Sequence, residues 1–413
     1  MKKAGIIFPG VFVLSFALIG CQYIIGLSNE LPPNPCSDVQ SSCTSTPPVQ
    51  VTHGLTIPDL EKISTEVDLA PFPDMEGWGM VFKNGDDSHP NLWFATVSKD
   101  AAVNNFRQIT ENQGSHSPSI SAGGSGFGIV WEEKQKEPET DFRIELVFIN
   151  YQPPIPETFT PLIIADPDGF AKAPSIVWNG SDFAIVWQDS RKGKNEIWFA
   201  RINESGNFVI SPMRIGTLFG DSTLPDIAWA SGMYSVVFLN NSTGKDSVYG
   251  MIVDQQGNVT SEKLISASSG KAGAPRIMAE PSGLAIVWTD NSPGETEIFF
   301  TKTDFSLNPV IPLPIQVTQC AIGADLPDLI VRIEGENIFH DICWQDSRGG
   351  ITNVYATTLD SNGNKLSFEL QVSNTQEAST KCKFALSKSG ESIFWATGSF
   401  TNREIFMTYF SCI

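Results

Sequence analysis

GFGIVW (126–131), DFAIVW (182–187) and GLAIVW (283–288) are three copies of one short apolar stretch ending in tryptophan. Looser copies are GWGMVF (77–82), YSVVF (234–238), NIFHDICW (337–344) and ESIFW (391–395). Their closing aromatics, Phe82, Trp131, Trp187, Phe238, Trp288, Trp344 and Trp395, lie 49, 56, 51, 50, 56 and 51 residues apart. Seven apolar runs of strand length at a period near fifty mark a repeat array, not two or three separate domains.

The rest of each unit follows one grammar. An earlier strand often opens on proline, as at Pro118, Pro174, Pro225, Pro275 and Pro327. A Gly/Ser/Asn turn leads into the aromatic-ended strand. A third, alternating strand follows a polar loop, as in EIWFARI (196–202) and NVYATTL (353–359). A second tight turn, such as Asp254–Asn258 or Asp360–Asn364, leads to a fourth strand such as PIQVTQ (314–319). Gly and Asn accept the positive φ that such hairpin turns demand. Four antiparallel strands per unit make one propeller blade. The last unit lacks a fourth strand, because only Ser411-Cys412-Ile413 follow EIFMTYF (404–410). PVQVTHG (48–54) carries the fourth-strand pattern at the other end of the array. The expected fold is therefore all-β: a seven-bladed β-propeller over 48–413, its four-stranded antiparallel blades closed by an N-terminal strand in the last blade, which removes the open edge.

Residues 1–20 place Lys2 and Lys3 before a mostly apolar stretch, then Leu18-Ile19-Gly20-Cys21. The stretch reads as a secretory signal, and the Cys21 context resembles the lipobox of bacterial lipoproteins. That resemblance implies that Cys21 becomes the first mature residue and carries lipid. Two or three acyl chains anchor stably, at about 0.8 kcal/mol per buried CH₂. Gln22, where an aspartate would retain such a protein in the inner membrane, points to the outer membrane. Residues 21–47 form a Pro/Ser/Thr-rich tether. The repeats themselves resemble exported propellers of the TolB-like and WD40-like kind. No Trp-Asp dipeptide, sialidase Asp-box or regular double glycine narrows that resemblance.

Seven cysteines occur, at 21, 36, 43, 320, 343, 382 and 412. With Cys21 lipidated, six remain for an oxidising compartment. Cys36 and Cys43 are close enough in the tether to close a small disulfide loop. Cys343, within an apolar strand, reads as a buried thiol. Pairing among Cys320, Cys382 and Cys412 stays open. No CxxC pair occurs and the four histidines are scattered, so neither metal site nor cofactor is expected.

Lys plus Arg number 27 against 46 Asp plus Glu, a net charge of −19 over 413 residues. Such a surface repels phosphate backbones, so no nucleic-acid partner is expected. Topology puts the first and third turns of every blade on one face and the longer, variable second loops on the other. Binding is expected on the second-loop face. Two blades share Trp-Gln-Asp-Ser-Arg there. Arg191 and Arg348 are candidate anion ligands, because a guanidinium forks onto two oxygens. Pairing of Asp189 with Arg191, and of Asp346 with Arg348, to shape their own loops is the favoured reading. No nucleophile elbow, phosphate loop or dinucleotide fingerprint occurs. The expectation is a non-enzymatic, lipid-anchored envelope scaffold for a protein or glycan partner. The alternatives are an extracellular carbohydrate hydrolase using channel carboxylates, with Asp86, Asp87, Asp166, Asp168, Glu132 and Glu133 available, and a TolB-like assembly factor.

Overall fold

The computed structural model describes residues 43–52, 64–85, 90–111, 114–135, 141–152, 154–166, 170–319, 321–388, 390–399 and 402–412. Strands are the regular structure found among them, and they form seven antiparallel sheets. Blade 3 shows the plan: Ala171–Trp178, Phe183–Asp189, Glu196–Ile202 and Phe208–Ile215 pair in chain order. The first strands of the seven blades are Ser64–Pro71, Ser115–Gly123, Ala171–Trp178, Ser222–Ala230, Ala272–Glu280, Asp325–Glu334 and Ser379–Ser387. Each packs on the next, and the seventh packs on the first. The sheets thus close into the expected seven-bladed ring, with these strands around its axis.

The repeated aromatics explain the ring. Trp131, Trp187, Phe238, Trp288, Trp344, Trp395 and Phe82 are buried. They fill the seams between consecutive blades: Val186 and Phe199 of blade 3, for example, share one apolar cluster with Tyr234 and Phe238 of blade 4. A large ring at a fixed place in each unit supplies the same contact seven times, and a blade alone would leave it in water.

Blade 7 takes its outer strand from the N-terminal side. Val49 lies opposite Met407 and Gln50 opposite Phe406 on the strand Asn402–Cys412. The chain joins this sheet earlier than residue 48, because Cys43–Ser45 also pairs there, with Cys43 opposite Cys412. That register corrects the expected Cys36–Cys43 loop: Cys43 is disulfide-bonded to Cys412. Proximity along the tether loses to direct opposition across two antiparallel strands. Cys21, Cys36 and Cys320 lie outside the described residues. Cys343 is a buried free thiol, as is Cys382.

The Asp-led turns are shaped by their own side chains. Asp360 accepts hydrogen bonds from the Asn362 and Asn364 amides, both at 2.8 Å. Asp254 and Asp304 do the same in blades 4 and 5. Turn chemistry of this kind uses the carboxylate locally.

One irregularity recurs in every first strand. The ladder skips between Thr65 and Asp68, His116 and Ser119, Lys172 and Ser175, Thr223 and Asp226, Gly273 and Arg276, Asp325 and Asp328, and Thr380 and Lys383. Inside each skip one non-glycine residue has φ between 42° and 56°: Glu66, Ser117, Ala173, Leu224, Ala274, Leu326 and Lys381. In five blades proline follows it. A bulge needs no ladder N–H at that point, so proline fits there. Thr65 lies opposite Lys83, where the second loop begins. The seven bulges therefore surround the channel mouth on the second-loop face.

Candidate functional site at the channel mouth

The residue that resumes pairing after each bulge occupies one position of the ring: Asp68, Ser119, Ser175, Asp226, Arg276, Asp328 and Lys383. Their charges meet across blades. Lys383 Nζ is 3.5 Å from Asp68 and 3.4 Å from Asp328. Arg276 lies 3.7 Å from Asp226. Burial works against the Arg276 charge, but Asp226, Asp328 and Asp68, on blades 4, 6 and 1, hold its pKa above the ordinary value. The three aspartates also accept backbone N–H groups of the following blade, from Ile120, Ile277 and Phe384, at 2.8–3.0 Å. This ring of charge joins the blades together.

Beside it stand two glutamates with opposite environments. Glu66, in the blade 1 bulge, is 3.0 Å from Lys83 and 2.9 Å from Lys381 of blade 7. Burial pushes its carboxyl up, but Lys381 and then Lys83 outweigh this and hold it down at about 2. Glu132 follows Trp131 near the end of the blade 2 strand Gly126–Lys134, and its pKa is raised, by burial first. The Ala173 amide, the Ser117 hydroxyl and the Lys172 charge oppose that rise without cancelling it. Ser117 stands between the two: its N–H donates to Glu66 Oε2 and its hydroxyl to Glu132 Oε1, both at 2.9 Å. Ala173 N–H donates to Glu132 Oε2 at 3.1 Å. One carboxylate fixed as an anion, next to one pushed toward its neutral form, is the separation that acid–base chemistry requires.

The sequence candidates fall elsewhere. Asp189 is fully buried and takes the Arg191 side chain at 2.5 Å, the Arg191 amide at 2.9 Å and the Trp187 indole N–H at 3.1 Å. Asp346 holds Arg348 in the same way, and Arg348 also reaches Glu369. Each guanidinium lies over an aromatic of its own blade, Trp198 or Tyr355. The two pairs shape their own loops on blades 3 and 6. Asp86, Asp87 and Asp168 lie outside the described residues. Asp166 accepts a hydrogen bond from Gln135, and Glu133 turns away to Ser115 and the Trp131 indole. Of the three described channel acids, Glu132 is the one placed at the mouth. Glu66, Asp68, Asp226, Arg276, Asp328, Lys381 and Lys383 were missed. A signal existed, since the residue after each strand-opening proline is the ring residue in five blades. Among the described residues, no group of three or more His, Cys, Asp or Glu is placed to hold a metal.

No protein-family model matches this sequence, and no curated protein matches it. Solved structures resemble it in fold. A subtype N10 neuraminidase-like protein of A/little yellow-shouldered bat/Guatemala aligns with TM-score 0.48 and 10% identity, over 72% of this chain and 98% of that one. Trypanosoma rangeli sialidase in complex with sialic acid gives 0.49 and 9%, over 83% of this chain and 60% of the sialidase. An endo-arabinase from Bacteroides thetaiotaomicron gives 0.40 and 12%, over 57% and 93%. At such identity the likeness concerns the ring alone. The expectation of a non-enzymatic chain is corrected to this extent: sialidases and glycoside hydrolases are among the propellers it resembles, and a likeness of this degree assigns the chain no activity.

Proposed function

We propose that the channel mouth hydrolyses a glycosidic bond, with Glu132 donating the proton to the departing oxygen, Glu66 facing the positive charge that develops on the sugar, and water then adding to that carbon and returning a proton to Glu132. The observation that carries this is the split between two carboxyls gripping one serine. Lys83 and Lys381 keep Glu66 anionic at any working pH, so it can stabilise an oxocarbenium-like centre or attack it. Burial keeps the Glu132 proton in place to higher pH, as a general acid needs. The seven-bladed scaffold holds both groups on rigid strands rather than on mobile loops. The lipid expected on Cys21, with residues 21–47 as tether, belongs to the same proposal and would present the mouth to envelope or extracellular glycans.

The test is hydrolysis by the full chain of a panel of oligosaccharides, whose alkoxide leaving groups need a proton. Glu132→Gln is the informative variant. Its amide oxygen still accepts from Ala173 N–H and its NH₂ can donate to Ser117, so the fold should survive. We expect kcat to fall by roughly 10²–10⁴-fold, with the melting temperature unchanged. Wild-type kcat/KM should decline on the alkaline side as Glu132 loses its proton. A wild-type chain inert toward every member of the panel, or a Glu132→Gln variant with full activity, would overturn the proposal.

A further inference from the structure

Next to Glu132, on the seam between blades 2 and 3, three side chains form a platform that the acid pair does not use. Phe142 begins the third strand of blade 2, and Phe170, in the link to blade 3, forms a backbone bridge with it. Their rings lie 6.2 Å apart at 32°. Lys172, on the first strand of blade 3, sets its ammonium 3.7 Å from the Phe142 ring centre and 5.1 Å from that of Phe170. Phe170 is 40% exposed, although a phenyl ring gains by burial. The Lys172 charge reaches Glu132 and acts against the upward shift of its pKa. Platform and acid therefore share one electrostatic neighbourhood.

We infer that this platform is a subsite for a sugar ring bearing a carboxylate. The C–H face of a pyranose stacks on an exposed phenyl ring, and an ammonium held on aromatic faces supplies donors to an anionic substituent. Net charge narrows the class. A chain at −19 repels polyanions, so one cation at one place selects a single carboxylate on a sugar, not a phosphate polymer. The subsite rests on the hydrolase reading only for its position relative to Glu132, and binding can be measured without turnover.

Calorimetry with methyl galactopyranosiduronate, a single ring with one carboxylate, and with its methyl ester, on the Glu132→Gln chain, tests the inference. The ester has the same ring without the charge. We expect the acid form to bind ~tenfold more tightly, the scale of one charge-assisted hydrogen bond. Adding Lys172→Met should bring the ratio toward one while leaving the ester's affinity in place, and Lys172→Arg should restore the preference. Phe170→Ala should weaken both ligands together. Equal binding of the two forms, no binding of either, or a preference that survives Lys172→Met would overturn the subsite. An intact preference on a chain that hydrolyses nothing would sink the catalytic proposal alone. Hydrolysis without the preference would sink only the subsite.

Discussion

Replacing Cys412 by serine is expected to cost about 3–5 kcal/mol of stability and to lower the melting temperature by about 4–6 °C. The disulfide joins residues 369 apart in sequence. A closed loop of that size lies at the upper end of the stabilisation that native disulfides give, because it removes the most freedom from the unfolded chain. The folded ring loses as well. Cys43–Ser45 and Val49–Gln50 are short, and they cover the outer edge of the last sheet. Without the covalent link that edge frays, and a bare strand edge pairs with other chains. Thermal unfolding followed by circular dichroism, with and without reductant, checks this. Reduced wild type should melt with the variant, whereas a variant that melts with oxidised wild type would show that the link adds nothing.

Arg332→Met is the second change with a large expected effect. Arg332 is buried at the seam of blades 6 and 7 and pairs with Asp341, Glu391 and Glu334. Asp341 is fully buried and Glu391 is 4% exposed. Burial raises the Asp341 pKa against the pull of Arg332. Burial, then the Asp341 charge, pushes Glu391 up to about 7, with Arg332 again opposing. Removing the guanidinium leaves two buried carboxyls with no cation, a loss of about 3–5 kcal/mol. The sign of its pH dependence follows from the raised values. The folded state holds protons that the unfolded chain releases near 4.5, so these groups weaken the fold as pH rises from there through about 7. Without Arg332 both carboxyls shift further up, and the penalty grows over the same interval. Urea unfolding should show a larger loss at pH 8 than at pH 5, partly recovered by adding Asp341→Asn. Equal losses at the two pH values would mean that Arg332 acts through packing alone.

What was legible in the sequence was whatever repeats locally. The seven aromatics stood out because each blade buries one large ring at the same step. Blade 7 lacked a strand, and that gap identified 48–54 as its completion. The mouth was not legible in this way, because it exists only once the ring is shut. Glu66 meets Lys381 across 315 positions, and no window on the chain contains both. The strand-opening proline marked the ring position in five blades, but blades 1 and 7 have Val67 and Cys382 there. Those two blades supply Glu66, Asp68, Lys381 and Lys383. The shared Trp-Gln-Asp-Ser-Arg was conspicuous for a structural reason, since Asp189 and Asp346 bury themselves to cap their loops. Cys43 misled because seven residues along a tether look nearer than a strand partner at the far end of the chain.

The account depends most on the unequal ionisation of Glu66 and Glu132. Titration of ¹³C-labelled glutamate carboxyls by NMR, assigned through Glu66→Gln and Glu132→Gln, measures it directly. Glu66 should stay ionised down to a pH of about 2, while Glu132 should keep its proton to a higher pH than an exposed glutamate. If both carboxyls titrate together in the ordinary range, the mouth holds no acid–base pair and the account fails.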